Sequence, residues 1–584
     1  MLKLFKNLEK KDWLFIFISC IFIVLQVWLE LKIPDYMSKI TELVQLNGTI
    51  KEILTEGAYM LACAFLSLAS SVVVGYIIAN LASNFSKNLR EKLFNKVQSF
   101  GMEEIKKFQT SSLITRTTND IGNVEMMLTF GLQMIIKAPI TAIWAVGKIL
   151  GKSFEWTAIT GGAVLVLLIM VITLMTIVLP RFKIVQKLID SINGLTRENL
   201  KGIRVVRAFN AEGYQEEKFE KVNKKLTNTQ LFNQKIMSLM SPMMYLIMNG
   251  VSLGIYFMGA FIIRDALLAD KITLFSNMVV FSSYAMQVIM SFLMLAMIFI
   301  MYPRASISAD RINEVLNTKA KIKSGKETRA SEVGTIEFKN VSFKYPDSEE
   351  YVLKDISFKA GKGETIAIIG STGSGKSTLI NLILRFYDVT EGKVLVDGID
   401  VRNYTLDSLH DRLGYVPQRA VMFSGSVNYN VGYGKKTNYE VSDKKIKEAV
   451  KVSQAEEFVE KMPKKYDADI AQGGTNVSGG QKQRLSIARA IARDPEIYIF
   501  DDSFSALDYK TDYLLRKELK EYTKDATSII VAQRIGTIKN ADKIIVLDKG
   551  KCVGIGMHKE LLKNCEVYKE IAYSQLSKEE LENE

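Results

Sequence analysis

Histidine is nearly missing from this chain, with two residues in 584, His410 and His558. Imidazole chemistry is therefore confined to two positions at most. Cysteine is almost as scarce. Cys20, Cys63, Cys552 and Cys565 show no pair spacing, so neither a disulfide framework nor a cysteine metal site is implied. The nine prolines avoid the interiors of two long polar stretches, about 82–129 and 181–238, which are rich in helix formers and so predicted helical. The formal charge of +13 comes without a zinc-finger, helix-turn-helix or base-reading signature, so no nucleic acid partner is expected. Much of the basic charge in the first half falls between apolar runs, where the positive-inside tendency accounts for it. The apolar runs carry no acidic cluster that would single out cations as cargo.

What the sequence does have is uneven hydrophobicity. Long apolar runs crowd the first half and thin out after about residue 303, which predicts a membrane domain followed by a soluble one. Six spans are expected at about 13–34, 57–81, 130–150, 157–180, 239–263 and 274–301, each near the length that crosses a hydrocarbon core. The first run follows a basic start but has no small-residue cleavage site, so it reads as a retained span. Lys3, Lys6, Lys10 and Lys11 favour a cytoplasmic N terminus. An even number of spans then leaves the C-terminal domain in the cytoplasm too. The short connections at about 151–156 and 264–273 face outside, and the two long polar stretches face inside as helical extensions of the bundle. Lys137, with Pro139 close behind, interrupts the third span and marks either a cavity or a snorkelling side chain. Met286, Met290, Met294 and Met297 in the sixth span could line an adaptable apolar cavity or simply pack.

The soluble part begins near Thr335 with TIEFKNVSFKY. A strand, ETIAII, runs into GSTGSGKST: Gly370, Ser371, Thr372, Gly373, Ser374, Gly375, Lys376, Ser377 and Thr378. Strand, glycine-rich turn and helix in that order make a phosphate-binding loop. Its glycines let backbone N–H groups crowd around phosphate oxygens, and the helix N terminus adds a favourable field. Lys376 is expected to reach the β- and γ-phosphates of ATP, and Ser377 to ligate Mg2+. Further on, EIYIFDD places a buried strand ahead of Asp501, whose carboxylate is expected to act through magnesium or its water.

VSGGQKQR, from Val477, stands between these two elements and resembles the signature of the ABC ATPase family. The membrane half, including ENLKGIRVVRAFNAE from Glu198, is similar to that of ABC exporters with fused domains. The resemblance implies a six-span helical transmembrane domain followed by an α/β P-loop nucleotide-binding domain with a β subdomain and a helical signature subdomain. It implies that Tyr345 stacks on adenine. Gln418, in YVPQ, would sit by magnesium, sense the γ-phosphate and contact the membrane domain. Ser478, Gly479, Gly480 and Gln481 would close over ATP held by a second half-transporter, with Asp508 at the dimer seam. The expected division is a membrane domain over 1–318, a linker over 319–334, the ATPase over 335–573 and a charged tail over 574–584.

Three positions depart from the family pattern. Asp502 stands where glutamate usually polarises the attacking water, and Gln533, in VAQR, stands where a switch histidine is usual. Gln472 replaces a glutamate just before the signature. The chain thus resembles the degenerate-site subunit of bacterial heterodimeric multidrug exporters. Its own site would bind ATP and hydrolyse it slowly, while its signature would complete a competent site on a non-identical partner that keeps the glutamate and the histidine. Membrane lipid surrounds it, and the expected cargo is an amphipathic drug or lipid moved out across a bacterial cell membrane. The alternatives are a self-sufficient homodimer using Asp502 as base, and a nucleotide-gated channel or regulatory subunit.

Overall fold

The computed structural model describes the chain apart from residues 1, 7, 151, 268–269, 435–440 and 577–584. Most of the tail expected over 574–584 lies outside the described residues. Two compact units emerge: Met1–Gln98 with Ser111–Thr318, and Ser99–Thr110 with Lys319–Glu584.

Among the described residues the first unit holds six helical spans, Lys10–Gln45, Ile50–Gln98, Thr110–Ile149, Phe154–Lys201, Glu212–Asp265 and Lys271–Asn317. About 20 residues cross a bilayer core. The 49-residue second helix reaches roughly 70 Å at the usual rise per residue, far more than the membrane needs. The polar stretches expected to be helical are mostly so, with breaks that include 99–101, 109 and 209–211, and much of them prolongs the spans. Pro34, Pro139, Pro180 and Pro303 lie inside these helices, as neighbouring helices in a membrane bundle permit. Ile23, Val27, Val74, Ile78, Trp156 and Phe281 belong to the core of this unit. An apolar cavity of about 790 Å3 between the fourth and sixth helices is lined by residues including Met175, Phe292, Pro180 and Pro303. None of the four methionines singled out in the sixth span lines it; Met290 and Met297 lie on exposed parts of the helix.

Among the described residues the second unit is built on two main sheets, beside a short separate pair of strands, β7 (Gly425–Ser426) and β8 (Asp469–Ile470). Strands β1 (Ile336–Phe343), β2 (Leu353–Ala360), β4 (Glu391–Val396) and β5 (Ile399–Asp400) form an antiparallel sheet in the order β2-β1-β4-β5. Strands β3 (Thr365–Gly370), β6 (Leu413–Val416), β9 (Ile497–Asp501), β10 (Thr527–Val531), β11 (Lys543–Asp548) and β12 (Lys551–Gly556) form the second, in the order β12-β11-β3-β10-β9-β6. All its pairings are parallel except β11 with β12. The central strands read as unbroken Ile/Val runs because helices cover both faces. A separate helical cluster gathers around Val427, Val450, Tyr466, Leu485 and Phe504. It carries the signature helix Gly479–Ala492. The short helix Met102–Phe108 belongs to this unit, where Glu104 accepts from the backbone N–H of Lys321 at 3.0 Å and Glu103 pairs with Lys321.

Candidate active site

Four neighbouring parallel strands end on one side of the second sheet, and each delivers part of a single constellation. The phosphate loop follows β3, Asp501 closes β9, Gln533 follows β10 and Gln418 follows β6. Ligands gather at the carboxyl ends of such strands because loops, not paired backbone, project there.

The loop is shaped for phosphate. Gly373 and Gly375 have φ of 84° and 101°, a region that favours glycine. A Cβ on Gly375 would lie 2.6 Å from Leu353 Cδ2, so the turn also needs the missing side chain sterically. The helix Lys376–Ile383 starts directly after it. The hydroxyl oxygen of Ser374 is buried in the turn with no hydrogen-bond partner among the described residues. Lys376 Nζ donates to the carbonyls of Gly370 and Ser371, both at 2.8 Å, which curls the ammonium over the loop. Burial lowers its pKa, opposed by the nearby charges of Asp502 and Asp501. Ser377 Oγ donates to Asp501 Oδ1 at 3.2 Å. Burial raises the Asp501 pKa, against the Ser377 hydrogen bond that lowers it. This donor set fits ATP and magnesium: a cradle of N–H groups, one ammonium, and a hydroxyl–carboxylate pair of the hard oxygens magnesium prefers. Ser377 and Asp501 would hold the metal, which when bound offsets phosphate charge.

Asp502 follows Asp501 directly at the end of β9. It is buried, in a left-handed conformation at φ 48°, and its N–H donates to Val531 O at 2.9 Å. Its Oδ2 accepts from Gln533 Nε2 at 2.8 Å and from Gln418 Nε2 at 3.2 Å. Two of the three departures from the family pattern therefore touch each other. Both amides converge on one carboxylate oxygen, and neither can take a proton from water as an imidazole can. Gln418 reaches this carboxylate rather than the Ser377–Asp501 pair, and its place beside magnesium rests on the resemblance alone. Gln575, which the motifs did not reveal, donates to Gln533 O at 2.7 Å and accepts from Ile535 N at 2.8 Å, fixing the turn that presents Gln533. His410 bonds Leu384 O at 3.0 Å and His558 bonds Tyr568 at 2.6 Å, so neither stands in for the missing imidazole.

Tyr345 follows β1, its hydroxyl 3.1 Å from Thr378 Oγ1 and its ring edge-on to Phe343 and Tyr387. Lys106, from the short helix Met102–Phe108, lies 5.4 Å from the Tyr345 ring centroid. Sequence spacing gave no hint of that contact. At the signature, Ser478 caps its helix. Ser478 Oγ accepts from Gln481 N at 3.3 Å, and Gln481 Oε1 accepts from Ser478 N at 2.8 Å. A Cβ at Gly479 would meet nothing within 4 Å, so the helix start is open to an approaching anion. Asp508 caps the helix Tyr509–Tyr522, accepting from Thr511 N at 3.0 Å, a role internal to this chain.

Residues 353–505 match the family model described as ABC transporter, and residues 16–292 match ABC transporter transmembrane region. An uncharacterised ABC transporter ATP-binding protein of Mycobacterium tuberculosis is 38% identical over 549 residues, covering 94% of this chain and 93% of that one. The ATP-dependent lipid A-core flippase of Haemophilus influenzae is 31% identical over 545 residues, covering 90% and 91%. The solved structure of a bacterial Atm1-family ABC exporter with ATP bound superposes with a TM-score of 0.81 at 24% identity, covering 96% of this chain and 98% of that one, which speaks to the fold.

Proposed function

The chain belongs to the ABC transporter family, as a half-transporter with its membrane and ATPase domains fused, and from that premise we propose that it exports lipids or similar amphipathic compounds with a site of its own that binds ATP and hydrolyses it slowly. The observation that carries this reading is the Asp502 carboxylate, one methylene shorter than the usual glutamate and bonded through Oδ2 to two amides. The shorter arm withdraws the carboxylate by about the length of a C–C bond. A misplacement near 1 Å costs on the order of a hundredfold in rate. The phosphate loop and the signature keep their full complement of residues. A non-identical partner with glutamate and histidine would then run the competent site, completed by Ser478, Gly479, Gly480 and Gln481 of this chain. ATP bound between the two halves favours their closure, and hydrolysis releases it, so nucleotide state shifts the membrane helices between populations.

The second reading is a self-sufficient homodimer in which Asp502 acts as the base, and the comparisons favour it over the first. The relatives named for an activity are called ATP-dependent lipid A-core flippases, and the likeness runs along 84–90% of this chain. Lipid as cargo is common to both readings. They separate on ATP turnover by the purified chain alone, slow under the first reading and rapid under the second.

A further inference from the structure

Two carboxylates of the first membrane helix lie against the bundle, and they are equipped differently. Asp35 uses both oxygens: Oδ1 accepts from Tyr284 at 2.5 Å, and Oδ2 stands 2.7 Å from Lys148 Nζ and 4.0 Å from Lys32 Nζ. Glu30 concentrates everything on one oxygen. Its Oε1 accepts from Lys137 Nζ at 2.9 Å, Gln26 Nε2 at 2.9 Å and Ser67 Oγ at 3.4 Å, while no described residue donates to Oε2. Gln26 is 4% exposed, and its Oε1, beside the same carboxylate, is buried without a donor among the described residues. Lys137 carries three donors and finds one acceptor, Glu30. The pair is not sealed: the Lys137 and Glu30 side chains are 16% and 30% exposed.

An interhelical strut would spread its donors over both oxygens, as Asp35 does. Unmet acceptors and donors in an apolar environment cost free energy unless something supplies the complement. The complement here is double: a donor for Glu30 Oε2 and an acceptor for Lys137, with the buried Gln26 amide holding Glu30 Oε1 in place from behind. The ion pair is neutral, so a ligand with net charge would leave that charge uncompensated at low dielectric. A zwitterion meets every condition. We propose that Glu30 and Lys137, backed by Gln26, form a headgroup site for a zwitterionic amphiphile, whose ammonium takes Glu30 Oε2 and whose phosphate takes Lys137, as a phosphoethanolamine headgroup does. The proposal rests on the exporter reading and names its class of cargo.

The test uses the full chain in nanodiscs of phosphatidylglycerol. Two fluorescent short-chain probes are titrated: phosphatidylethanolamine, and the same lipid N-acetylated so that the ammonium is lost. The free amine should bind about tenfold tighter or more, the size of one hydrogen bond to a charged group. The double variant Glu30→Gln, Lys137→Gln leaves no unpaired charge and should bind both probes equally. Nucleotide binding and the thermal midpoint check that each variant is folded. Where the double variant fails that check, Glu30→Asp, which draws the carboxylate back by one methylene, should narrow the preference. Equal binding of the two probes by the unaltered chain, binding of neither, or a preference unchanged in the folded double variant or in Glu30→Asp overturns the proposal. A failed exporter reading shows separately, as absence of ATP-driven lipid movement in proteoliposomes with the preference intact.

Discussion

At the scale of single residues, the proposed slow site makes Asp502 the position expected to set its turnover. Restoring the longer side chain with Asp502→Glu, together with Gln533→His, should raise ATP hydrolysis by the purified chain by about a hundredfold, while Asp502→Asn removes what activity remains. Asp397 gives a second residue-level expectation. Burial pushes its carboxyl up to about 7, helped by Glu496 and opposed by the Thr335 N–H and by Arg412. The folded chain then holds a proton that the unfolded chain has released above about 4. Its contribution to stability is complete below that pH and is lost as the pH rises through 7. Thermal unfolding of the chain in detergent between pH 5 and 8 should show this decline, and Asp397→Asn should flatten it. Asp502 and Gln533 were legible in the sequence because each sits in a short motif with fixed spacing. The Glu30–Lys137 pair was not, since 107 residues separate its members and only the packing of the first and third membrane helices joins them. Lys137 alone was visible as an oddity. Glu30 lies toward the end of a long apolar run and gave no signal by itself.

At the scale of elements, the phosphate loop and the signature helix make separable predictions. Gly375→Ala puts a Cβ against Leu353 in a left-handed turn and should weaken ATP binding by about tenfold or more, given strain of roughly 1–3 kcal/mol. Gly373→Ala meets no atom within 4 Å and should lose less, because only the φ strain remains. Titration with a fluorescent nucleotide measures both. Ser478→Ala removes a capping box, at a cost of about 1 kcal/mol to its helix. In a mixed dimer it should lower turnover at the partner's phosphate loop and leave this chain's own nucleotide affinity unchanged. The long helical extensions were legible because helix-forming composition runs through the two polar stretches, about 82–129 and 181–238, without a proline. The grouping of Ser99–Thr110 with the nucleotide-binding unit was not, because it depends on contacts such as Glu104 with the backbone of Lys321. Parallel strand order was equally hidden. Motif order along the chain says nothing of β10 lying between β3 and β9, which is what brings Gln533 to Asp502.

At the scale of the whole molecule, an ABC half-transporter offers one phosphate loop and one signature, so any working assembly needs a second chain. If that chain differs, activity depends unequally on the two sites. Changing the partner's catalytic glutamate to glutamine should abolish nearly all turnover of the mixed dimer, whereas Asp502→Asn in this chain should leave most of it. Steady-state hydrolysis by the two purified mixed dimers reads the asymmetry. Equal losses would place both sites in the cycle and favour the homodimer-like reading. The most direct measurement is simpler still: ATP turnover by the purified chain alone, with nucleotide binding measured on the same sample and the Asp502→Glu, Gln533→His variant beside it. Both should bind ATP, and the unaltered chain should turn over about a hundredfold more slowly. Turnover by the unaltered chain as fast as that of the variant would contradict the slow-site proposal and establish Asp502 as a sufficient base.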